Sequence, residues 1–258
     1  MTVESTETAP GVLRVRIQNE AKRNALTAEV LADLADALDT AAATDSVRVI
    51  VLTAAGDFFC AGGDTARMGE QRPSPLAKRD YLAGGVGRLA RSFTRLDKPV
   101  VAALNGPAIG AGVDLALWCD FRFAHPRAYL RLGFVDLGLT PGFGSAWLLT
   151  RLLGPARAME ILLVGEKVTA HEAAGLGLVR TVTEDLDAEV AAFAGVLAGK
   201  PAPAVRVTKR LVQRAYTMDV LDSMEQAWSS FALLQETPEH IEAVRAMRAR
   251  RERKEARG

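Results

Sequence analysis

Cysteine, histidine and aromatic residues are scarce in this chain of 258 residues, which has two cysteines, three histidines and 6% aromatics. Cys60 and Cys119 are too few and too far apart for a disulfide framework or a closed zinc site, and they read as small buried hydrophobes in a reducing compartment. No serine or cysteine nucleophile motif adjoins His125, His171 or His240, which disfavours each as a catalytic base. We therefore expect neither a metal nor a redox cofactor.

Long apolar runs are also missing. No stretch approaches the ~18 consecutive apolar residues that a membrane-spanning helix needs. The opening MTVESTETAP is acidic and rich in hydroxyl groups, so it is typical of neither a secretory signal nor a transit peptide. We expect residues 1–10 to form a disordered tail, and we expect a cytoplasmic protein with no membrane partner.

Charge of one sign is not in excess, since the net charge is +1. From residue 245 onward, however, seven basic residues stand against two acidic ones, so this end carries +5 and the rest of the chain −4. This basic C-terminal segment could bind RNA, an anionic membrane or a phosphorylated ligand, or it could be the solvated face of a helix. No aromatic residue lies among these arginines to stack on bases, so nucleic acid is not the expected partner.

What the sequence does contain is an alternation of strand and helix patterns. Residues 12–18 alternate apolar and polar as a half-buried strand does, and residues 26–38 have the spacing of a helix that Thr27 would cap. Further strands are predicted at 47–54 and 99–104, and the second is apolar throughout, as in a strand buried on both faces. The alternation predicts an α/β fold with largely parallel strands.

The later part of the chain becomes helical. Short strands are predicted at FRFAH and AYLRL, followed by two helices between Ser145 and Gly165. From residue 187 onward, apolar residues recur with helical period. The sequence therefore predicts an α/β core over residues 11–198 and a C-terminal helical region over 199–258. The apolar faces of that region need cover from the core or from another subunit.

Glycines are concentrated after the strand at 99–104, where residues 105–114 read NGPAIGAGVD. A dinucleotide-binding fingerprint would need a further glycine or an alanine at Leu115, so that interpretation is weak. The first turn of a helix instead leaves N–H groups without partners beside a positive dipole end, where they can bind an oxyanion. The earlier loop FFCAGGD could supply a second donor, and two such donors form an oxyanion hole.

Together, NGPAIGAGVDLALWCD and FFCAGGD resemble the paired signature of the enoyl-CoA hydratase/isomerase family, also called the crotonase family. Three further segments agree, in order and at the usual spacings: NEAKRNAL, DLGLTPGFGSAWLLTRLLGPARAMEILLVGEKVTAHEAAGLGLV and EAVRAMRARR. The resemblance covers nearly the whole chain. It implies an α/β, crotonase-like spiral core of ββα units with a C-terminal helical region, assembled as a homotrimer or a homohexamer.

The resemblance also implies an acyl-CoA thioester substrate, with coenzyme A as part of the substrate and no separate cofactor. The amides of Gly63 and Ala111 would hold the thioester oxygen, and Asp114, about one helical turn beyond Ala111, would transfer the proton. Alternatively, Asp114 satisfies backbone donors at a helix start. The resemblance assigns substrate and coenzyme A contacts to matching positions: Lys22, Arg23, Ala25, Cys60, Ala61, Gly62, Asp64, Arg67, Gly110, Phe134, Pro141, Gly142 and, from a neighbouring subunit, Lys254. For Asp64 the alternative is a brace for the loop beside Gly63.

The chain departs from the family in its acids. Members that add water commonly use two glutamates, but the second position falls on Phe134 and the first is the shorter Asp114. Gly142 also stands where some isomerases carry an acid. These differences weaken the case for hydration and leave double-bond isomerisation by one carboxylate open. Asp136 could supply the missing acid or could be a solvated loop residue; the rival to an enzyme is a catalytically weak family member that binds acyl-CoA or RNA.

Overall fold

The structure is a computed structural model that describes residues 2–64 and 74–255. Within these ranges the strands are β1 (Val3–Ala9), β2 (Val12–Ile17), β3 (Val49–Ala54), β4 (Val100–Leu104), β5 (Ala108–Ile109), β6 (Phe121–Ala124), β7 (Tyr129–Arg131), β8 (Lys167–Thr169) and β9 (Thr181–Val182). The helices are α1 (Ala28–Ala43), α2 (Pro75–Gly84), α3 (Val86–Arg95), α4 (Ala111–Trp118), α5 (Ser145–Leu153), α6 (Pro155–Val164), α7 (Ala170–Gly175), α8 (Leu186–Ala198), α9 (Ala202–Arg214), α10 (Val220–Gln235) and α11 (Pro238–Glu255). Short 3-10 helices span Glu20–Lys22 and Val135–Leu137.

The main sheet has the strand order β1-β2-β3-β4-β6-β9, and a smaller sheet has the order β5-β7-β8. In the main sheet β1 and β2 are antiparallel, whereas each later neighbouring pair is parallel, as the sequence predicted. Parallel strands end at the same edge of a sheet, where α/β proteins bind ligands. The loops that follow β2, β3 and β4 therefore leave the sheet together, and the candidate site is built from them.

Helices cover both faces of the main sheet. All five residues of β4 are buried, as predicted for a strand with two covered faces. On β3, Ile50 and Leu52 belong to the core cluster that includes α1, whereas Val49 and Val51 pack with the apolar residues of α8. The Val30 amide donates to the Thr27 side chain at 3.2 Å, so the predicted N-cap of α1 is confirmed.

The prediction of a disordered tail over residues 1–10 is wrong, because residues 3–9 form β1. This strand pairs with β2 from Val3 opposite Ile17 to Ala9 opposite Val12. Val3 is the one buried residue in β1. An edge strand held by backbone hydrogen bonds needs little apolar patterning, so its polar composition resembled that of a tail.

The C-terminal helices are attached to the core through charged side chains. Lys209 on α9 donates to the Asp120 carboxylate at 2.6 Å and to the Lys98 carbonyl at 2.8 Å. Neither α9 nor α10 contains a buried residue. Large apolar side chains, including Trp228 and Phe231, remain exposed in the single chain. Cover from another subunit therefore stays a prediction.

In the described ranges, no single helix is both long and apolar enough to cross a membrane. α8 and α9 pass the same test of length and composition only as a pair, bent by 103° at the break between them. Four residues of α8 are buried within the protein: Leu186, Val190, Ala194 and Ala198.

Candidate active site

The loop after β3 meets the start of α4 in direct contact. The Ile109 amide donates to the Cys60 carbonyl at 2.9 Å, and the Cys60 amide donates to the Pro107 carbonyl at 3.2 Å. A Cβ atom on Gly112 would lie 2.3 Å from the Cys60 oxygen. Since no side chain fits in that space, glycine allows α4 to begin this close to the loop.

Gly110 turns the chain into α4. Its φ of 52° and ψ of −121° lie in a region that is nearly restricted to glycine. Its amide donates to the Arg131 carbonyl at 2.8 Å, which attaches the turn to β7. A Cβ atom on Gly110 would lie 3.7 Å from the ring of Phe134. The structure therefore brings Phe134 against the turn that precedes the predicted oxyanion donor.

The amides of Gly63 and Ala111 lie on these adjoining segments. A Cβ atom on Gly62, the neighbour of Gly63, would lie 3.3 Å from the Ala111 amide nitrogen. Ala111 is the first residue of α4, where an N–H group has no acceptor within the helix. In the part of the chain that the structure describes, neither amide donates to a protein acceptor. Both residues are half-buried, and the two predicted donors therefore share one small region.

Asp114 is fully buried one turn into α4. Its Oδ1 atom accepts a hydrogen bond from the Ser145 amide at 2.5 Å. Burial raises the pKa of the Asp114 carboxyl to about 6, and hydrogen bonding from Ser145 opposes that rise. Among the described residues, Asp114 Oδ2 and Ser145 Oγ have no partner in hydrogen-bonding geometry. A carboxyl with this pKa can both take and return a proton near neutral pH.

Ser145 is the site residue that the sequence analysis missed. It is the first residue of α5, and Gly144 before it has no side chain to cap the helix. Asp114 on α4 accepts the hydrogen bond from the Ser145 amide. It therefore satisfies a backbone donor at a helix start, as the alternative for Asp114 predicted, but the helix is α5 and not its own. This pairing joins residues 31 apart in sequence, and the only local signal was a helix start without a capping side chain.

Asp136 pairs with an arginine at the surface. Its Oδ2 lies 3.2 Å from the Arg131 guanidinium, and half of its side chain is exposed. A Cβ atom on Gly165 would lie 3.4 Å from the same oxygen. The carboxylate therefore faces Arg131 and Gly165, whereas Asp114 faces Ser145. The exposure of Asp136 fits the alternative of a solvated loop residue, and its role as the missing acid stays a prediction.

The two segments predicted to hold coenzyme A lie side by side. The Ala61 amide donates to the Arg23 carbonyl at 3.0 Å, and the Leu26 amide donates to the Gly62 carbonyl at 2.7 Å. The Lys22 ammonium lies 2.8 Å from Asp64 Oδ2, and this lysine is half exposed. This ion pair links the two segments and fits the alternative of a brace for the loop beside Gly63; the substrate contacts of Lys22 and Asp64 stay predictions.

Cys60 joins the loops, and the prediction that it is a small buried hydrophobe is confirmed, whereas its role as a coenzyme A contact stays a prediction. Its side chain is fully buried, and its Sγ accepts the Gly62 amide at 3.4 Å. Burial raises the pKa of the Cys60 thiol to about 12. Ala25 is also buried. Within residues 2–64 and 74–255, no group of three or more His, Cys, Asp or Glu side chains could hold a metal ion.

Four further predicted contacts lie either on the segment before α5 or outside the described part of the chain. Pro141 and Gly142 lie on the segment that leads into α5, and a Cβ atom on Gly142 would have open space around it. Arg67 lies outside the described residues, and so does the side chain of Lys254. The predictions for these four residues stay predictions.

Comparison with known proteins identifies relatives over most of the chain. A family profile described as enoyl-CoA hydratase/isomerase matches residues 7–256. A crotonyl-CoA hydratase from Syntrophomonas wolfei subsp. wolfei is 36% identical over 222 residues, covering 85% of this chain and 84% of that protein. A 1,2-epoxyphenylacetyl-CoA isomerase from Escherichia coli is 36% identical over 179 residues, covering 68% and 67%. The crystal structure of an enoyl-CoA hydratase from Bacillus anthracis matches with a TM-score of 0.92 at 28% identity, covering 97% of each chain. The predicted crotonase-like fold is confirmed.

Asp114→Asn should stabilise the protein at neutral pH. An acid whose folded pKa is raised from 3.8 to about 6 binds more protons in the folded state, so folding loses free energy as pH rises between these values. Asparagine keeps an acceptor for the Ser145 amide and has no charge to bury. Urea unfolding should show a gain in the free energy of unfolding on the order of 3 kcal/mol at pH ~7.5 and on the order of 1 kcal/mol at pH ~4.5. An equal gain at both pH values would contradict the assigned cause.

Proposed function

The chain belongs to the enoyl-CoA hydratase/isomerase family, and from that premise we propose that it moves the double bond of an enoyl-CoA thioester by one-carboxylate proton transfer. The observation that carries this proposal is Asp114, a buried carboxyl with a pKa of about 6, one turn beyond the Ala111 amide. An acid of this kind beside unpaired amides is a typical arrangement for proton transfer next to a carbonyl.

In the proposed mechanism, the amides of Gly63 and Ala111 bind the thioester oxygen. Removal of a proton from the α-carbon places negative charge on that oxygen. Two fixed N–H donors stabilise the charge without reorganising, and one such donor is worth ~3 kcal/mol. The contact between the two loops supports this assignment, since it holds both donors in one region.

Asp114 would act first as base and then as acid. Its carboxylate removes the proton from C2 of a 3-enoyl-CoA, and the electron pair delocalises into a dienolate. The carboxylic acid then returns the proton to C4, which yields the 2-enoyl-CoA and restores the carboxylate. A pKa near the working pH suits both half-reactions because neither protonation state is strongly preferred.

Phe134 and Asp136 favour isomerisation over hydration. The ring of Phe134 lies beside Gly110, where it would present an apolar surface that cannot bind or deprotonate water. Asp136 is paired with Arg131. One carboxyl is enough to move a proton between two carbons of the same substrate, whereas hydration commonly uses two.

Hydration remains the second candidate. The 36% identical relative from Syntrophomonas wolfei is a crotonyl-CoA hydratase, and Asp114 could deliver a proton in that reaction too. The alternative of a catalytically weak family member predicts binding of acyl-CoA without turnover, or binding of RNA that weakens steeply with salt. Product analysis by mass separates these functions, because hydration adds one water and isomerisation adds nothing.

Asp114→Asn should lower kcat/KM for a 3-enoyl-CoA by at least ~100-fold, since a positioned general base contributes at least that much. The wild-type kcat/KM should rise with pH through a midpoint near the Asp114 pKa of about 6. The control is Asp136→Asn, which removes an exposed carboxylate and should change kcat/KM less than about twofold. For both variants, kcat/KM is measured by chromatography of the 2-enoyl product. Unchanged turnover in Asp114→Asn would remove this residue from the mechanism.

Ala111→Pro tests the oxyanion donor. Proline is well accepted at the first position of a helix, where its missing N–H costs no helix hydrogen bond. Loss of the N–H should lower kcat ~100-fold or more, while circular dichroism remains that of the wild type. Ala111→Gly keeps the amide and should retain far more activity than Ala111→Pro. Similar kcat values for these two variants would argue against a catalytic role for the amide.

We also propose that the chain assembles as a homotrimer or a pair of trimers through its C-terminal helices. The exposed apolar residues of α10 support this, including Trp228 and Phe231, because an uncovered apolar face is commonly buried between subunits. Light scattering should give a mass that is a multiple of three chains of 27.6 kDa. Trp228→Glu should lower the measured mass towards that of a single chain, whereas Glu29→Gln on α1 should leave the mass unchanged. A wild-type monomer would contradict this proposal.

A further inference from the structure

Two buried polar atoms at the candidate site lack a hydrogen-bond partner among the described residues. They are Asp114 Oδ2 and Ser145 Oγ, and both residues are fully buried. Because buried polar atoms are nearly always hydrogen-bonded, each exception needs a physical explanation. Here the two unpartnered atoms belong to side chains whose residues are already joined by the Ser145 amide and Asp114 Oδ1.

A serine hydroxyl differs from an amide in what it can offer a carboxyl. The amide of Ser145 only donates, so it stabilises the charged form of Asp114. A hydroxyl both donates and accepts. It can donate to the carboxylate and, after proton transfer, accept from the carboxylic acid. Ser145 Oγ is three bonds from the amide nitrogen that already contacts Asp114, so a change of side-chain rotamer moves it towards or away from the carboxyl.

Among the described residues, no charged group contributes to the pKa of Asp114. The two effects that act on the Asp114 pKa are burial and hydrogen bonding. Arg151, the one charged residue of α5, lies over the ring of Trp147 at 3.6 Å. β5 carries no charge, and the nearby Asp136 is paired with Arg131. The proton affinity of Asp114 therefore depends on its burial and on Ser145.

We propose that Ser145 is a positioning residue whose hydroxyl hydrogen-bonds the Asp114 carboxyl in both protonation states, as donor to the carboxylate and as acceptor from the acid. The inference rests on the proposed function, in which Asp114 alternates between these states. Ser145 does not contact the thioester in this scheme. It sets the orientation of the carboxyl and the pH at which it takes a proton.

The experiment compares Ser145→Ala, Ser145→Gly and Ser145→Thr with the wild type. Alanine and glycine both remove the hydroxyl and keep the amide. Because the hydroxyl bonds the carboxylate more strongly than the neutral acid, each should move the rising midpoint of kcat/KM up by about one pH unit, the excess of a charged over a neutral hydrogen bond. Their kcat should fall while KM stays near the wild-type value. Threonine keeps the hydroxyl and should restore the midpoint. Thr150→Ala removes an exposed hydroxyl from the same helix and should shift nothing.

A second readout does not depend on activity. Infrared difference spectra recorded against pH follow the protonated carboxyl band of Asp114, which is assigned by its loss in Asp114→Asn. The midpoint of this band should rise in Ser145→Ala and Ser145→Gly and return in Ser145→Thr. An unchanged midpoint in Ser145→Ala overturns the proposal, even where stability or kcat falls, because that outcome is a purely structural role. If Asp114→Asn remains active, the proposed reaction fails, and the infrared titration still decides the role of Ser145.

Discussion

The close approach of the Cys60 carbonyl to the first turn of α4 is the contact on which the candidate site depends. It joins the loops that follow β3 and β4, which leave the sheet at one edge because the strands are parallel. The space is so small that a methyl group on Gly112 would overlap the Cys60 oxygen. Any larger residue would push the helix start away and move the Ala111 amide with it. Displacements of about 1 Å are enough to cost a large part of an enzyme's rate.

The position of Asp114 costs stability, and the same burial gives it a useful proton affinity. A carboxylate out of contact with water would be strongly disfavoured without hydrogen bonds. The Ser145 amide supplies one at the uncapped start of α5. The same bond gives α5 an acceptor for its first amide and keeps Asp114 ionisable near neutral pH. Such strain at functional groups is a common reason why proteins are less stable than their folds would permit.

Much of the fold could be predicted because its elements carry strong periodic patterns. Strand β4 is uniformly apolar since both of its faces are covered, and α1 repeats apolar residues on one face after a capping threonine. β1 escaped prediction because an edge strand is held by backbone hydrogen bonds, to which its polar side chains give no clue. The pairing of Asp114 with Ser145 escaped for another reason: it is a contact between two helices, and neither helix signals its partner. The scarcity of cysteine was enough to predict that Cys60 is buried, but the contact between its carbonyl oxygen and Gly112 became visible only in the folded chain.

The aromatic residue beside Gly110 connects the architecture to the choice of reaction. Hydration involves two transfers, one from water and one to carbon, and each gains from its own group. Isomerisation takes a proton from one carbon and returns it to another, so a single group handles it twice. That group works best when its two protonation states are close in free energy at the working pH. A fully solvated aspartate would be too weak a base and would give up its proton too readily. Burial moves Asp114 towards the required balance, and Phe134 would keep water away from the reacting carbons, so both features favour the same chemistry.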